Sequence, residues 1–175
     1  IGTVGRLDPV KDQRGLLDAY ALLPTAGVPH ALVLVGDGPC RADLETRAAR
    51  PDLRSRVRFL GQRADVPRLL AGLDVFTLPS IAEGMSNTVL EAMACGLPVV
   101  ATRTGGNPEL VEDAVTGRLV PVGDRGALAD ALGAYVADPH LRALHGKAGR
   151  QRATDEFSLE RMAVRYRELY RALAP

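Results

Sequence analysis

Short apolar segments alternate with helical patterns along this chain, and this alternation limits the possible folds more than any other feature of the sequence. The most apolar segments are residues 31–35, 57–60, 75–78 and 99–101. Strands without a continuous polar face are typical of a parallel sheet that helices cover on both sides. With two further strands near residues 2–6 and 118–120, the sequence predicts an α/β fold with a doubly wound parallel sheet of about six strands.

Helices are predicted between these strands and over most of the chain beyond residue 127. The helices between strands cover residues 12–23, 41–49, 66–71, 88–95 and 108–111. The 175 residues suit a single domain, 1–175, whose C-terminal helices occupy roughly 124–175. The last helix is amphipathic and needs a partner surface. Its apolar face consists of Leu159, Met162, Tyr166, Leu169, Tyr170 and Leu173.

The composition argues against several classes of function. The chain has 22 basic and 21 acidic residues, and its net charge of +1 provides no bulk attraction for nucleic acid. Aromatic residues make up 4% of the chain and Trp is absent, which argues against modules that stack on bases. Cys40 and Cys95 lack metal-ligand spacing and suit a reducing, cytoplasmic compartment.

The sequence carries no targeting signal and no metal-binding pattern. No apolar run approaches the ~20 residues that cross a bilayer, and the first residues do not resemble a signal peptide. Because the chain begins at Ile1 without an initiator Met, we expect a domain of a longer protein. His30, His140 and His145 have no neighbours that suggest metal ligation, and we expect all three at the surface.

Two basic residues, Arg6 and Lys11, follow the first predicted strand at the start of a helix. A guanidinium and an ammonium group at the end of such a strand can hold a diphosphate, and the helix N-terminus adds partial positive charge. The alternative is a pair of solvated basic side chains in a loop. Neither G-x-G-x-x-G nor G-x-x-x-x-G-K-[ST] follows this strand, so a classical nicotinamide domain and a P-loop NTPase are not supported.

A second candidate site follows the strand at 75–78. Residues 79–87 form a loop that carries Glu83 and small polar residues at the start of a helix, where main-chain N–H groups can bind an anion. Glu91 lies within that helix. Thr88 and Glu91 have the spacing of a capping box, with Thr88 as N-cap. Glu91 is therefore either a cap or a carboxylate that accepts two ribose hydroxyls.

Glycine pairs mark two further turns. Gly105 and Gly106 follow the strand at 99–101 and permit positive φ and close backbone approach. A plain turn with helix capping by Asn107 explains this segment equally well. Residues 36–39 read as a structural turn. No two aspartates lie two residues apart, so a D-x-D motif for a diphosphate-bound metal is absent from the sequence.

Taken in order, these segments resemble the C-terminal, donor-binding domain of the retaining group 1 (family 4) glycosyltransferases of the GT-B fold. The resemblance covers nearly the whole chain, and it includes an E-x7-E spacing between Glu83 and Glu91. The other segments that carry it are residues 4–7 with Lys11, 34–39, 57–61, 74–80, 90–101 and 105–106. The fold that this implies is the Rossmann-like half of a GT-B enzyme.

The resemblance implies a role for each matching position. Arg6 and Lys11 match the pair that stabilises the departing nucleoside diphosphate without a metal. Glu83 matches the first glutamate, which binds donor-sugar hydroxyls near the reacting carbon. Glu91 matches the second glutamate, which binds the ribose. With Arg6, Lys11 and Glu83 taken as catalytic and Glu91 as donor-binding, the rest of the donor site matches Gly5, Leu60, Gly61, Gly84, Met85, Ser86, Asn87 and Val89.

Within that set, Leu60 and Gly61 match the segment beside the nucleobase, and residues 84–87 match the loop whose backbone contacts sugar and phosphates. The implied activity is transfer of a sugar, with retention of configuration, from a nucleoside diphosphate sugar. We expect a UDP sugar as donor, a glycan or glycolipid as acceptor in polysaccharide or glycolipid assembly, and neither cofactor nor metal ion.

The resemblance also implies partners and a location. The acceptor would bind an N-terminal domain that is absent from the chain, and the final helix would pack across that missing half. We therefore expect the chain alone to bind nucleotide weakly and to transfer no sugar. We expect no nucleic acid partner. The location implied is the cytoplasm, or the inner face of the membrane as a peripheral attachment of a full-length protein.

Two other functions stay open. One is a non-catalytic module that binds nucleotide sugars, although Arg6, Lys11, Glu83 and Glu91 are all present, which favours an enzyme. The other is a different GT-B enzyme, such as a nucleotide-sugar epimerase or a glycogen-type phosphorylase. A phosphorylase needs a lysine for pyridoxal phosphate, and Lys147 lies in a predicted helix far from the strand ends.

Overall fold

In the described part of the chain, the sheet contains six strands, all parallel, and it confirms the fold predicted from the sequence. The structure is a computed structural model that describes residues 1–173. The strands are β1 (Gly2–Val4), β2 (Leu32–Val35), β3 (Val57–Gly61), β4 (Phe76–Leu78), β5 (Val99–Thr102) and β6 (Gly117–Val120). They pair in the order β3-β2-β1-β4-β5-β6. The chain thus builds outward from β1 on one side, and then from β4 on the other.

Within residues 1–173, eight α-helices connect and follow the strands. They are α1 (Gln13–Ala21), α2 (Arg41–Ala48), α3 (Val66–Ala71), α4 (Asn87–Ala94), α5 (Asn107–Leu110), α6 (Arg125–Ala137), α7 (Pro139–Phe157) and α8 (Leu159–Leu173). The predicted helices agree with these to within a few residues, except that the predicted end of the C-terminal helices at 174–175 lies outside the described residues. A short 3-10 turn, Pro9–Lys11, precedes α1. No helix within residues 1–173 is both long and apolar enough to span a bilayer.

Apolar side chains cover both faces of the sheet, which is why the strands read as apolar runs. Along β2, Leu32 and Leu34 join a cluster with α1, α2 and α6, whereas Val33 packs against a second cluster. That second cluster contains residues of α3, α4, α5 and α7. In β5 all four residues are buried, with Val99 and Ala101 in the second cluster and Val100 in the first. Burial on two faces is the property that the doubly wound fold requires.

The prediction that all three histidines lie at the surface is wrong for His145. This residue is buried, and its Nδ1 lies 2.7 Å from the hydroxyl of Tyr135. Burial lowers the pKa of the His145 imidazole, with the positive charge of Arg118 as a lesser cause. The reason for the burial is the stripe His145, Gly146, Gly149 and Ala153, which forms the buried face of α7. Small residues allow α7 to approach its neighbours closely, so a histidine in the same stripe is enclosed.

Helix α8 has the amphipathic pattern that the sequence predicts, and its apolar face is exposed. Within residues 1–173, no residue of α8 is buried. Its residues Leu159, Met162, Tyr166 and Leu169 line an open groove of about 450 Å³ together with Met85, Leu90 and Phe157. The prediction that it packs across a further domain stays a prediction.

Candidate functional site

The residues predicted to act on a ligand gather where β1 and β4 lie side by side. These two strands pair through a single register position, Gly2 with Phe76. After β1 the chain crosses to β2 on one side, and after β4 it crosses to β5 on the other side. The segments that follow β1 and β4 therefore diverge. A doubly wound sheet binds its ligands at this point, outside the carboxyl ends of the strands.

Lys11 and Glu83 form an ion pair in the crevice between the segments that follow β1 and β4. The ammonium of Lys11 donates a hydrogen bond to Oε1 of Glu83 at 2.5 Å. The Lys11 side chain is 25% exposed and the Glu83 side chain only 8%, so the pair is partly shielded from water. The two residues are 72 positions apart, and the adjacency of β1 and β4 brings them together.

Local sequence explains how Lys11 reaches this position. Asp8 accepts a hydrogen bond from the main-chain N–H of Val10 and begins the 3-10 turn, and Pro9 follows at its first position. Asp12 ends the turn with φ at +44° and caps α1 by accepting from the N–H of Gly15. Two Asp side chains thus define the turn that presents Lys11.

Glu83 has a second partner that reasoning from the sequence missed. The hydroxyl of Ser80 donates to Oε1 of Glu83 at 2.6 Å, and Ser80 is fully buried. The hydroxyl of Thr102 in turn donates to the carbonyl of Ser80 at 2.6 Å. The available signal was a Ser directly after Pro79 at the end of a strand, three residues before the glutamate.

Neighbouring loops hold the segment that carries Glu83 from both sides. On the β1 side, the N–H of Ile81 donates to the carbonyl of Val10 at 2.8 Å. On the β5 side, the Thr104 hydroxyl donates to the carbonyl of Ile81 at 3.1 Å. Further along, the N–H of Gly106 donates to the carbonyl of Gly84 at 2.9 Å.

Gly105 has the positive φ and the close backbone approach that its sequence context suggests. Its φ is +51°, and a Cβ atom there would overlap the carbonyl oxygen of Glu83. The alternative of a helix cap at Asn107 is wrong, because Gly106 is the N-cap of α5. Asn107 is instead fully buried and donates from Nδ2 to the carbonyl of Thr102 at 3.0 Å.

The start of α4 rules out the capping box. The N-cap is Ser86, and its side chain does not cap the helix. Thr88 therefore lies inside the first turn, and Glu91 falls in the second turn, too late to be N3. Because no side chain caps α4, its first main-chain N–H groups remain available to an anion. Glu91 is exposed and has no hydrogen-bond or ion-pair partner for its carboxylate among residues 1–173.

The loop predicted to contact the donor presents mostly main chain and exposed side chains. Gly84, Met85 and Asn87 are exposed, whereas Ser86 is buried with its hydroxyl 3.2 Å from that of Thr88. Val89 is fully buried in the core, so only its main-chain N–H can face a ligand.

A second cleft lies beside this crevice, at the ends of β1, β2 and β3. It has a volume of about 320 Å³, and Gly5, Arg6 and Asp37 are among its lining residues, as are Gln62 and Arg63. Main-chain hydrogen bonds join the ends of the three strands. The N–H of Gly5 donates to the carbonyl of Val35 at 3.0 Å, and the N–H of Gly36 donates to the carbonyl of Gly61 at 2.8 Å. The predicted residues Leu60 and Gly61 precede Gln62 in the chain but do not themselves line this cleft.

Arg6 and Lys11 bring positive charge to this region, next to the carboxylates of Asp8 and Glu83. The Arg6 side chain is 71% exposed and lies 3.6 Å from the carboxylate of Asp8, so it is free to turn toward a ligand. Asp37 is held ionised, because its pKa is lowered by a hydrogen bond from the N–H of Gly38 and by Arg41. Within residues 1–173, no cluster of three or more His, Cys, Asp or Glu has an arrangement that could hold a metal ion.

Comparison with known proteins gives one consistent result. Residues 1–138 match the protein-family model described as "Glycosyl transferases group 1". The N-acetyl-alpha-D-glucosaminyl L-malate synthase of Bacillus anthracis is 35% identical over 161 residues, which cover 92% of this chain and 42% of that protein. A GDP-mannose-dependent alpha-(1-6)-phosphatidylinositol monomannoside mannosyltransferase of Mycolicibacterium smegmatis is 36% identical, with 95% and 46% covered.

Solved structures agree with this result. Alr3699/HepE of Anabaena, crystallised in complex with UDP, superposes with a TM-score of 0.90 at 33% identity over 98% of this chain and 48% of that one. The same protein has been crystallised with UDP-glucose. This chain spans less than half the length of each of these proteins.

Proposed function

This chain belongs to the group 1 glycosyl transferases, and we propose that it forms the part of such an enzyme that binds the nucleotide-sugar donor. The observation that carries the proposal is the ion pair of Lys11 and Glu83 between the ends of β1 and β4. It places a cation and a carboxylate at the crevice where a doubly wound sheet binds its ligands. The cation can pair with a diphosphate, and the carboxylate can accept hydrogen bonds from sugar hydroxyls.

The proposed chemistry follows from the charges. When a sugar leaves a nucleoside diphosphate, the bond between its anomeric carbon and the diphosphate oxygen breaks, and negative charge develops on that oxygen. Arg6, Lys11 and the uncapped N-terminus of α4 can stabilise this charge. We propose that these groups serve in place of a divalent cation. Glu83 would accept hydrogen bonds from the donor sugar and orient its anomeric carbon toward the acceptor.

The remaining parts of the donor site follow in the same way. The nucleobase would occupy the cleft beside Gly5, Leu60 and Gly61, and Glu91 would accept hydrogen bonds from the ribose. We propose transfer with retention of configuration and a UDP sugar as donor. The comparison proteins support a nucleotide sugar but differ in base, since one binds UDP and another is named for GDP-mannose.

The acceptor side of the reaction belongs to the protein beyond this chain. We propose a glycan or glycolipid acceptor, bound largely by a further domain, with the apolar face of α8 packed against that domain. The comparison proteins are more than twice as long as this chain, which supports such a division. We expect no sugar transfer from the chain alone when donor and acceptor are supplied.

The first test is the melting temperature of the chain in the presence of UDP, GDP and ADP, with UMP and uridine as controls. We expect one diphosphate to stabilise the chain more than the others and more than the controls. A ligand at one hundred times its dissociation constant adds about 2.7 kcal/mol, which corresponds to a rise of roughly 5–10 °C for a chain of this size. An equal response to all five compounds, or none at millimolar concentration, would contradict the proposed donor site.

Glu91→Gln tests the ribose contact. Because Glu91 is exposed and its carboxylate has no hydrogen-bond or ion-pair partner within residues 1–173, the melting temperature should change by less than about 2 °C. Affinity for the preferred nucleoside diphosphate should fall about tenfold, the cost of losing hydrogen bonds to a charged group. Affinity for its 2′-deoxy analogue should fall much less. Glu160→Gln, at an exposed position in α8, is the matched control. Equal losses of affinity for the ribonucleotide and its 2′-deoxy analogue in Glu91→Gln would refute the ribose role.

A further inference from the structure

The two oxygens of the Glu83 carboxylate have different surroundings. Oε1 accepts hydrogen bonds from Lys11 at 2.5 Å and from Ser80 at 2.6 Å. Oε2 accepts none from residues 1–173. A carboxylate oxygen that receives two donors is nearly saturated, whereas the other retains its full capacity to accept. The Glu83 side chain is almost fully buried, so a hydrogen-bond donor can approach Oε2 from few directions.

The two donors differ in how firmly they hold Oε1. Lys11 ends in a flexible four-carbon side chain, which can follow the carboxylate through many rotations. Ser80 has one rotatable bond to its hydroxyl carbon, is fully buried, and stands directly after Pro79 at the end of β4. Its carbonyl is tied to Thr102 by a second hydrogen bond. Ser80 is therefore the rigid member of the pair, and Lys11 is the adaptable one.

We infer that Ser80 is a positioning residue, which holds Oε1 of Glu83 so that Oε2 faces the donor sugar. The inference rests on the proposed function, because it assigns the free oxygen to sugar hydroxyls. Without the Ser80 hydroxyl, Lys11 alone would still neutralise the carboxylate but would not fix its plane. The nucleoside diphosphate contacts Arg6, Lys11 and the start of α4, so its binding does not depend on that plane.

The test compares Ser80→Ala and Ser80→Cys with the unchanged chain by calorimetric titration. The ligands are two pairs, UDP-glucose with UDP and GDP-mannose with GDP. For the pair that the chain binds, Ser80→Ala should lower affinity for the nucleotide sugar about five- to tenfold and change that for the diphosphate less than about twofold. Ser80→Cys keeps a weak donor of similar shape and should lie between the two.

Thr77→Val is the matched control. Thr77 is a fully buried hydroxyl residue of β4, and its oxygen has no hydrogen-bond partner among the described residues. This variant should bind both members of the pair as the unchanged chain does. Equal losses of diphosphate and nucleotide sugar in Ser80→Ala would indicate a structural role and overturn the inference, as would no loss at all. An unchanged chain that binds neither member of either pair, and does not bind ADP, would overturn the proposed function itself.

A crystal structure of Ser80→Ala provides a readout that does not need a ligand. We expect the Glu83 carboxylate to adopt a different or mixed orientation while Lys11 stays within ion-pair distance. A carboxylate that keeps its orientation would overturn the positioning role and leave the proposed function intact.

Discussion

Gly105→Ala should displace the segment that carries Glu83 and greatly weaken nucleotide-sugar binding. At φ +51°, a residue with a Cβ atom costs about 1–2 kcal/mol in backbone strain. The new atom would also overlap the carbonyl oxygen of Glu83, which is main chain and cannot rotate away. We expect a total cost of about 3 kcal/mol or more, and hence a melting temperature roughly 6–12 °C lower. Affinity for the nucleotide sugar should fall at least about tenfold.

Gly123→Ala separates the two causes. Gly123 has φ at +76°, but no atom lies within 4 Å of the position that its Cβ would occupy. This variant should therefore pay the backbone strain alone, lower the melting temperature by about 2–8 °C, and leave ligand binding unchanged. If Gly105→Ala melts and binds as Gly123→Ala does, the contact between the β5–α5 loop and Glu83 does not position the site.

Much of the fold could be predicted because the strands are buried on both faces. In β2 and β5 almost every residue is apolar, so a short run of sequence was enough to identify each strand. The strand order has no such local signal. It depends on which strands the crossovers place side by side, and the pairing of β1 with β4 is what brings Lys11 to Glu83. From residues alone, Arg6 and Lys11 could as well have been solvated, and the resemblance to a family supplied their role.

The surface prediction for His145 and the capping alternatives at Thr88 and Asn107 failed for local physical reasons. The capping box at Thr88 requires a helix that begins there, but the helix already begins after Ser86, so Thr88 lies in its first turn. The burial of His145 depends on glycines at the same face of α7, which carry no hydropathy signal. Ser80 was missed because a single serine at a strand end has no pattern of its own. Its partner Glu83 becomes visible only in three dimensions.

Lys11→Met should cost more diphosphate affinity than any other single substitution in the site. The Lys11 side chain is more buried than that of Arg6, so its charge is less screened by water. The variant loses the ammonium that would face the diphosphate, and it leaves the Glu83 carboxylate unpaired beside two phosphate groups. We expect about a hundredfold loss of affinity for the preferred nucleoside diphosphate, close to 2.7 kcal/mol, and little change for the nucleoside. Arg6→Ala should cost about tenfold or less.

Lys147→Met is the natural control, because Lys11 and Lys147 are the only lysines in the chain and Lys147 is exposed on α7. It should bind as the unchanged chain does. The double variant Lys11→Met, Glu83→Gln removes the unpaired negative charge, so it should recover part of the diphosphate affinity that Lys11→Met loses. This non-additive result would measure the coupling of the pair directly. Two results would mean that Lys11 supports the fold of the crevice and does not bind the diphosphate. One is an equal loss of affinity for nucleoside and diphosphate in Lys11→Met. The other is a double variant whose loss of diphosphate affinity exceeds the sum of the losses in the two single variants.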